Sequence, residues 1–112
     1  MAGKVEITSS CPDGTVIIMD SWVSPSDSEK YLQLCRPITA EFRKHPENLF
    51  AAISVNPTDK GQIRITHGWT RDSAWFFETF VNGTLFKDFF AQAIPMWIKP
   101  RVIEHFDRYV DV

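Results

Sequence analysis

A strand that runs directly into a helix is the most constraining feature of this chain, and it lies at residues 62–70, QIRITHGWT. Side chains alternate between the two faces of a strand, so the segment presents two different surfaces. One surface is mainly polar and carries Arg64, Thr66 and Gly68. The other places an imidazole and an indole on an otherwise apolar surface, through Ile63, Ile65, His67 and Trp69. Such a combination is typical of a binding pocket rather than of a plain core.

The other segments complete a pattern of four strands and three helices. Residues 15–23, TVIIMDSWV, are rich in β-branched side chains and predict the first strand. Pro37 is expected to kink or break the first helix, because it cannot donate to the carbonyl of Gln33. Prolines bracket residues 95–100 and predict a loop before the last strand. The remaining strands are predicted at 49–56 and 101–110, the helices at 26–45, 71–82 and 84–93, and a weak extra strand at 4–8.

This order, β-α-β-β-α-β with a short additional helix, predicts one α+β domain over residues 1–112 with a ferredoxin-like fold. In that fold the first and third strands are neighbours in the middle of an antiparallel sheet. The first strand is apolar on both faces, whereas the helices cover only one face of the sheet. We therefore expect the uncovered face, carrying Ile17, Met19, Val23 and Gly68, to be buried in a homodimer.

Composition excludes several classes of function. The net charge is −2 and the charges are mixed along the chain, which argues against a nucleic-acid partner. Membrane association is not expected either, because there is no apolar run of spanning length and no signal-type N-terminus. Cys11 and Cys35 are then predicted to be free thiols in a reducing compartment, the cytoplasm. Three scattered histidines make a metal site unexpected. The absence of a phosphate loop, a nucleophile elbow and a Cys-x-x-Cys motif argues against nucleotide cofactors, serine hydrolase chemistry and dithiol redox, respectively.

Two stretches carry a resemblance to a known family. Residues 61–75, GQIRITHGWTRDSAW, and residues 95–108, PMWIKPRVIEHFDR, resemble the dimeric α/β-barrel superfamily. Within it the chain is most similar to the antibiotic biosynthesis monooxygenase-like domains over residues 15–109, and residues 95–108 resemble the fungal branch of that group. Members of this group include cofactor-independent oxygenases of polyketide phenols, haem-degrading enzymes, isomerases, decarboxylases, cyclases and proteins of unknown role.

The resemblance also assigns positions. Trp69 falls where the oxygenases and the haem-degrading members place a pocket tryptophan, and Asp20 falls where the haem-degrading members carry an asparagine. Their haem-ligating histidine would fall near Phe90, so that ligand is missing from this chain. The resemblance therefore argues against a haem enzyme, and no cofactor is expected.

The candidate catalytic residues are His67 and Asp20. If alternation groups His67 with Trp69 and Asp20 with Trp22, adjacent strands would bring the imidazole and the carboxylate together on the helix-covered face. A carboxylate beside a histidine fixes its tautomer and raises its basicity, which suits a general base. The alternative is a purely structural role, in which a ring nitrogen of the buried His67 forms a hydrogen bond with Asp20 and no substrate is involved. Residues expected to contact a planar substrate, or otherwise to fill the core, are Trp22, Trp69, Phe77, Phe80, Phe90, Met96 and Trp97.

Two functional interpretations follow. The first is a small cofactor-independent tailoring enzyme for an aromatic or polyketide-type secondary metabolite. In its monooxygenase-like version, His67 with Asp20 deprotonates a phenol, and the anion reacts directly with dioxygen in a dry pocket. The same base would serve an isomerase, a cyclase or a decarboxylase. The second interpretation is a non-catalytic ligand-binding or assembly domain whose aromatic residues serve a dimer interface, because a fold does not determine a function.

Overall fold

The computed structural model describes residues 13–80 and 82–110, which form a four-stranded antiparallel sheet with helices packed on one face. The predicted weak strand at residues 4–8 and Cys11 lie outside the described residues. Two single-turn 3-10 helices, Pro25–Asp27 and Ile94–Met96, accompany the longer elements. In chain order these are β1 (Thr15–Val23), α1 (Ser28–Lys44), β2 (Asn48–Asn56), β3 (Asp59–Trp69), α2 (Ser73–Phe80), α3 (Thr84–Ala93) and β4 (Trp97–Asp107).

The strand order is β2-β3-β1-β4, so β1 and β3 are the central neighbours. The predicted ferredoxin-like α+β arrangement is therefore confirmed. None of the helices in the described ranges is long and apolar enough to span a bilayer.

Two local expectations at prolines were wrong, namely a break in α1 at Pro37 and a loop over residues 95–100. Helix α1 continues through Pro37 without a break. Gln33 and Pro37 both lie on its exposed side, where water can reach the carbonyl that loses its partner. The predicted loop at 95–100 is instead a 3-10 turn followed by β4, which begins at Trp97. Pro100 is accommodated because β4 is an edge strand whose register shifts between the pairs Asp20–Val102 and Trp22–Lys99.

The register of β1 against β3 decides which side chains share a face. Ile17 lies opposite His67, and Asp20 lies opposite Arg64. Directly opposed residues of an antiparallel pair point to the same side of the sheet. The covered face, which packs against the helices, therefore carries the β1 residues Ile17, Met19, Ser21 and Val23. The open face carries the β1 residues Val16, Ile18, Asp20 and Trp22.

This arrangement corrects the predicted assembly surface. Ile17, Met19 and Val23 are buried beneath the helices and are not available to a second copy. Gly68 does lie on the open face, where the ring of Phe50 packs over its backbone. The surface left for an assembly is therefore the opposite face of β1 from the one that we predicted.

Helix α1 forms the core with the covered face. Its buried residues Tyr31, Cys35, Ile38 and Phe42 recur every three or four positions, which places them on one stripe of the helix. Burying an aliphatic or aromatic side chain of this size contributes about 1.5–3 kcal/mol. Helices α2 and α3 add a second, aromatic part of the core, with Phe76, Phe86 and Phe89 buried.

Candidate functional site

His67 and Trp69 lie at the end of β3 on the covered face, as the alternation predicted. Both side chains are fully buried. The indole Nε1–H of Trp69 donates a hydrogen bond of 2.7 Å to Nδ1 of His67. The rings of Phe42 and Phe76 lie against the imidazole, with centroid distances of 4.6 and 4.9 Å. His67 therefore occupies a filled aromatic core.

The electrostatic state of His67 follows from this environment. Burial lowers the pKa of His67 to about 3, so the ring is neutral at ordinary pH. Because Nδ1 accepts the hydrogen bond from Trp69, the proton of the neutral ring sits on Nε2. Nε2 has no hydrogen-bond partner among the described residues. In this arrangement His67 offers a buried donor and not the free lone pair that a general base needs.

The predicted pairing of Asp20 with His67 is wrong. Asp20 points to the open face, where its two carboxylate oxygens accept hydrogen bonds of 2.7 and 2.9 Å from Nε and Nη2 of Arg64. Trp22 shares that face, and the ammonium of Lys99 lies 4.2 Å from the centre of its ring. Asp20 and Trp22 are thus separated from His67 and Trp69 by the thickness of the sheet. The reason is register, since a shift of one residue moves every side chain of a strand to the other face.

A cavity beside this core forms an aromatic cleft between α2, α3 and the sheet. Its volume is about 40 Å³. A few water molecules fit such a space, whereas a benzene ring needs a cavity of about 150 Å³, so a planar ligand requires movement of α2 or α3. Phe76 separates the cleft from His67 and Trp69, neither of which lines it. The lining residues are Met19, Phe76, Phe77, Phe80, Phe86, Phe90, Arg101 and Ile103.

The cleft includes three of the predicted substrate contacts, Phe77, Phe80 and Phe90. Met96 and Trp97, which were expected to cover the pocket mouth, are partly buried and pack against the core. Trp97 donates from Nε1 to the hydroxyl of Tyr31 at 2.9 Å. Three aromatic side chains that the sequence placed on the helices therefore line the cleft, whereas its one charged residue, Arg101, was not among the predicted contacts.

A smaller inner cavity of about 20 Å³ lies next to the aromatic cleft. The two cavities share Met19, Phe86 and Arg101 as walls. The inner cavity also reaches Tyr31 and Cys35 of α1. Burial raises the pKa of Tyr31, with smaller opposing effects of hydrogen bonds to Ser21 and Trp97, and burial raises the pKa of the free Cys35 thiol to about 12. Both groups therefore keep their protons at neutral pH.

Arg101 is the only charged residue that lines the aromatic cleft in the part of the chain described, and sequence analysis missed it. Its guanidinium carbon lies 4.6 Å from the ring centre of Phe90 and 5.4 Å from that of Trp97. Burial lowers the pKa of Arg101, opposed by its attraction to Tyr31. The proline-bracketed segment concealed this residue, because a strand face cannot be assigned through an unrecognised bulge.

Within the described ranges, no three His, Cys, Asp or Glu side chains come together as metal ligands. No residue of the described lining of the aromatic cleft is a carboxylate, a histidine or a thiol. Chemically, this cleft can exclude water and hold a flat apolar ligand beside one positive charge.

Comparison with solved structures identifies the architecture. An antibiotic biosynthesis monooxygenase-like protein from Caulobacter crescentus superposes with a TM-score of 0.76 and 16% identity, over 88% of this chain and 93% of that one. A structure described as an antibiotic biosynthesis monooxygenase gives a TM-score of 0.74 and 14% identity, over 86% of this chain and 99% of that one. The fold is that of the antibiotic biosynthesis monooxygenase-like proteins.

The same fold occurs in proteins without an assigned activity. A conserved protein from Methanosarcina mazei matches this chain with a TM-score of 0.74 and 14% identity, over 85% of this chain and 92% of the other. No family sequence model matches the chain. No curated protein matches its sequence. At these identities the likeness defines the architecture, and the activity has to be argued from the site.

Proposed function

We propose that this protein is a small cofactor-independent tailoring enzyme that binds an aromatic or polyketide-type secondary metabolite in the aromatic cleft. The observation that carries the proposal is the cleft itself, an apolar space walled by five phenylalanines on α2 and α3 and adjoining one guanidinium. The antibiotic biosynthesis monooxygenase-like fold and the fungal-branch resemblance of residues 95–108 direct the choice of substrate class. Oxidation of a phenol is the reaction that we place first.

The chemistry needs only the substrate and dioxygen. A phenol with a conjugated CH₂ group loses a proton, and the resulting anion transfers electrons to dioxygen to form a C–OOH group. Loss of water, made from the distal OH and the remaining hydrogen on that carbon, leaves a C=O group. One oxygen atom of dioxygen enters the product and the other leaves in water. The protein contributes desolvation and orientation of the anion.

His67 enters this proposal with a changed role. Its Nδ1 already accepts a hydrogen bond from Trp69, and Asp20, its predicted partner, lies on the other face of the sheet. We therefore propose that the substrate proton leaves to water before the cleft closes. When Phe76 moves with α2, the unpartnered Nε2–H of His67 becomes available as a hydrogen-bond donor to the ligand. An isomerisation, cyclisation or decarboxylation of a similar anion would use the same site.

A non-catalytic ligand-binding or assembly domain is the second candidate. One observation favours it: aromatic side chains fill the space around His67, and the adjoining cleft measures about 40 Å³. A domain of this kind would bind a ligand in the same cleft without consuming dioxygen.

We propose in addition that the open face is buried in a homodimer. Large apolar side chains are exposed there, with Phe50 at 42%, Val102 at 45% and Phe106 at 51% of their full surface. Val102 lies beside the ion pair of Asp20 and Arg64, whereas Phe50 and Phe106 lie further along the same face, opposite Gly68 and Val16. A second copy related by a two-fold axis would cover these apolar groups.

The test is oxygen uptake by the purified protein with a panel of polycyclic phenols under isotopically labelled dioxygen, read by mass spectrometry. We expect one labelled oxygen atom in the product. Phe77→Trp, which fills the cleft, should reduce turnover about tenfold or more, as expected when a reacting group is displaced. The matched control Tyr109→Trp changes a side chain that is 81% exposed and should leave turnover unchanged.

Binding without oxygen uptake or any other turnover would favour the second candidate. Equal turnover by wild type and Phe77→Trp would show that the aromatic cleft is not the reaction site. Metabolite profiling of a deletion strain identifies the compound on which the assay is then repeated.

A further inference from the structure

We infer that Arg101 is the anion-recognition residue of the aromatic cleft, binding a negatively charged oxygen carried by a flat aromatic ring. The ligand class is an aromatic phenolate or carboxylate. This inference rests on the proposed use of the cleft as a ligand site and specifies which ligands the cleft selects.

The first support is the lack of a partner. Within residues 13–80 and 82–110, no hydrogen bond or ion pair joins the Arg101 guanidinium to another residue. The guanidinium lies against the rings of Phe90 and Trp97, and Tyr31 is close enough to interact with its charge. Other arginines in less enclosed positions do have oxygen acceptors, since Arg64 binds Asp20 and Arg43 binds the carbonyl of Ala51. Arg101 is partly buried in an apolar wall without an oxygen acceptor from the described residues, so its N–H donors are free to bind an external anion.

The second support is geometry. The rings of Phe90 and Trp97 lie within cation–π distance of the guanidinium, and neither ring supplies an oxygen acceptor, so the N–H donors of Arg101 remain available to a ligand. Arg101 also forms part of the wall between the aromatic cleft and the inner cavity. A ring lying among Phe80, Phe86 and Phe90 would therefore bring an oxygen substituent next to this charge.

The third support is the absence of competing groups around Arg101. The titratable side chains that approach it through the inner cavity, Tyr31 and Cys35, are both protonated at neutral pH. An anionic ligand therefore meets one positive charge and no negative one in the described walls. By stabilising a phenolate, Arg101 would also lower the pKa of a bound phenol and so favour its deprotonation, for which sequence analysis had proposed His67 as the general base.

Three probes with the same ring system test the inference, namely naphthoate, its neutral isostere naphthamide, and naphthol. Binding is measured by calorimetry at neutral pH to the wild-type protein and to Arg101→Gln, Arg101→Lys and Lys99→Gln. Lys99→Gln is the matched control, because it removes one positive charge from the same strand on the open face, where Lys99 stacks on Trp22. Thermal melts confirm that each variant is folded.

We expect the wild type to bind naphthoate at least about tenfold more tightly than naphthamide, the usual value of one charge-assisted hydrogen bond. Arg101→Gln should remove this preference by weakening naphthoate alone, whereas Lys99→Gln should keep it. Arg101→Lys retains the charge without the planar fork and should give an intermediate preference. Bound naphthol should show the absorption of naphtholate at a lower pH in the wild type than in Arg101→Gln, which distinguishes a phenolate site from one restricted to carboxylates.

Equal binding of naphthoate and naphthamide to the wild type would overturn the inference while leaving the cleft as a ligand site. Equal weakening of both probes by Arg101→Gln would likewise assign Arg101 a packing role. If Arg101→Gln is unfolded, the decision rests on the wild-type preference and on Arg101→Lys. Failure of all three probes to bind the wild type would overturn the proposed ligand site together with this inference.

Discussion

Trp69 and His67, two residues apart on the same face of β3, are joined by a hydrogen bond of 2.7 Å from the indole Nε1–H to Nδ1 of the imidazole. This bond fixes the tautomer of the histidine and places its remaining proton on Nε2. It also explains why a histidine at the centre of an aromatic core is tolerated, since one of its two nitrogen atoms is satisfied there. When His67 is protonated, Nδ1 can no longer accept the hydrogen bond from Trp69, so nothing in this bond offsets the cost of burying the charge.

The first prediction is an acid-dependent loss of stability through His67. Its pKa in the folded protein is about 3, below the ordinary value of 6.5. The contribution of neutral His67 to the free energy of unfolding is therefore complete when the pH is above the ordinary pKa. It is lost as the pH falls towards the pKa of the folded protein. Between these limits the free energy of unfolding of the wild type should fall about 1.4 kcal/mol per pH unit more steeply than that of His67→Gln, which keeps an acceptor for Trp69.

Urea unfolding of both proteins at several mildly acidic pH values measures this difference. Parallel pH dependence of the two unfolding free energies would contradict the buried neutral state of His67.

The second prediction concerns assembly through the open face. Val102 lies opposite Asp20 in the sheet, so Val102→Glu places a second carboxylate beside that of Asp20. In a dimer formed through the open face, this added negative charge would be buried in the interface of both subunits. We expect wild type to be a dimer at micromolar concentration and Val102→Glu to be a monomer by light scattering. The control Ile94→Glu changes an aliphatic side chain that is 55% exposed in the 3-10 turn next to α3, and should remain dimeric. A monomeric wild type would refute the proposed homodimer.

The third prediction compares two glycines of β3. A Cβ on Gly61 would collide with the backbone carbonyl of Val23, which cannot move without disturbing β1, whereas a Cβ on Gly68 would meet only the ring of Phe50. Phe50 is 42% exposed and can turn away. Gly61→Ala should therefore lower the free energy of unfolding by about 1–3 kcal/mol, the range for overpacking, and Gly68→Ala by less. Chemical denaturation of the two variants tests the order, and a larger loss for Gly68→Ala would contradict the packing described.

The elements of this fold are readable from the sequence because their periodicities are local. Residues 15–23 were placed without error, and the alternation that grouped His67 with Trp69 holds in the structure. The element order was sufficient to make β1 and β3 neighbours. Phe77, Phe80 and Phe90 were correctly placed on helices that cover the sheet, since their spacing marks one side of each helix.

The relative register of β1 and β3 was not readable in the same way. A hairpin loop fixes the register of two strands, but no hairpin joins these two, and a shift of one residue moves Asp20 and Trp22 to the opposite face. Both faces of β1 are largely apolar, so hydrophobicity could not decide between them. Arg101 was missed for a related reason, since the bulge near Pro100 lies in a segment that looks like a loop. The candidate site thus depended on long-range pairing that a single sequence does not contain.

A crystal structure of the protein with naphtholate bound tests the central claim most directly. We predict that the ring lies among Phe77, Phe80 and Phe90 on the covered side of the sheet, with α2 or α3 displaced from its present position. The naphtholate oxygen should lie within hydrogen-bonding distance of the Arg101 guanidinium. A ligand bound on the open face, or an unchanged cleft with no ligand in crystals grown at saturating concentration, would contradict the account.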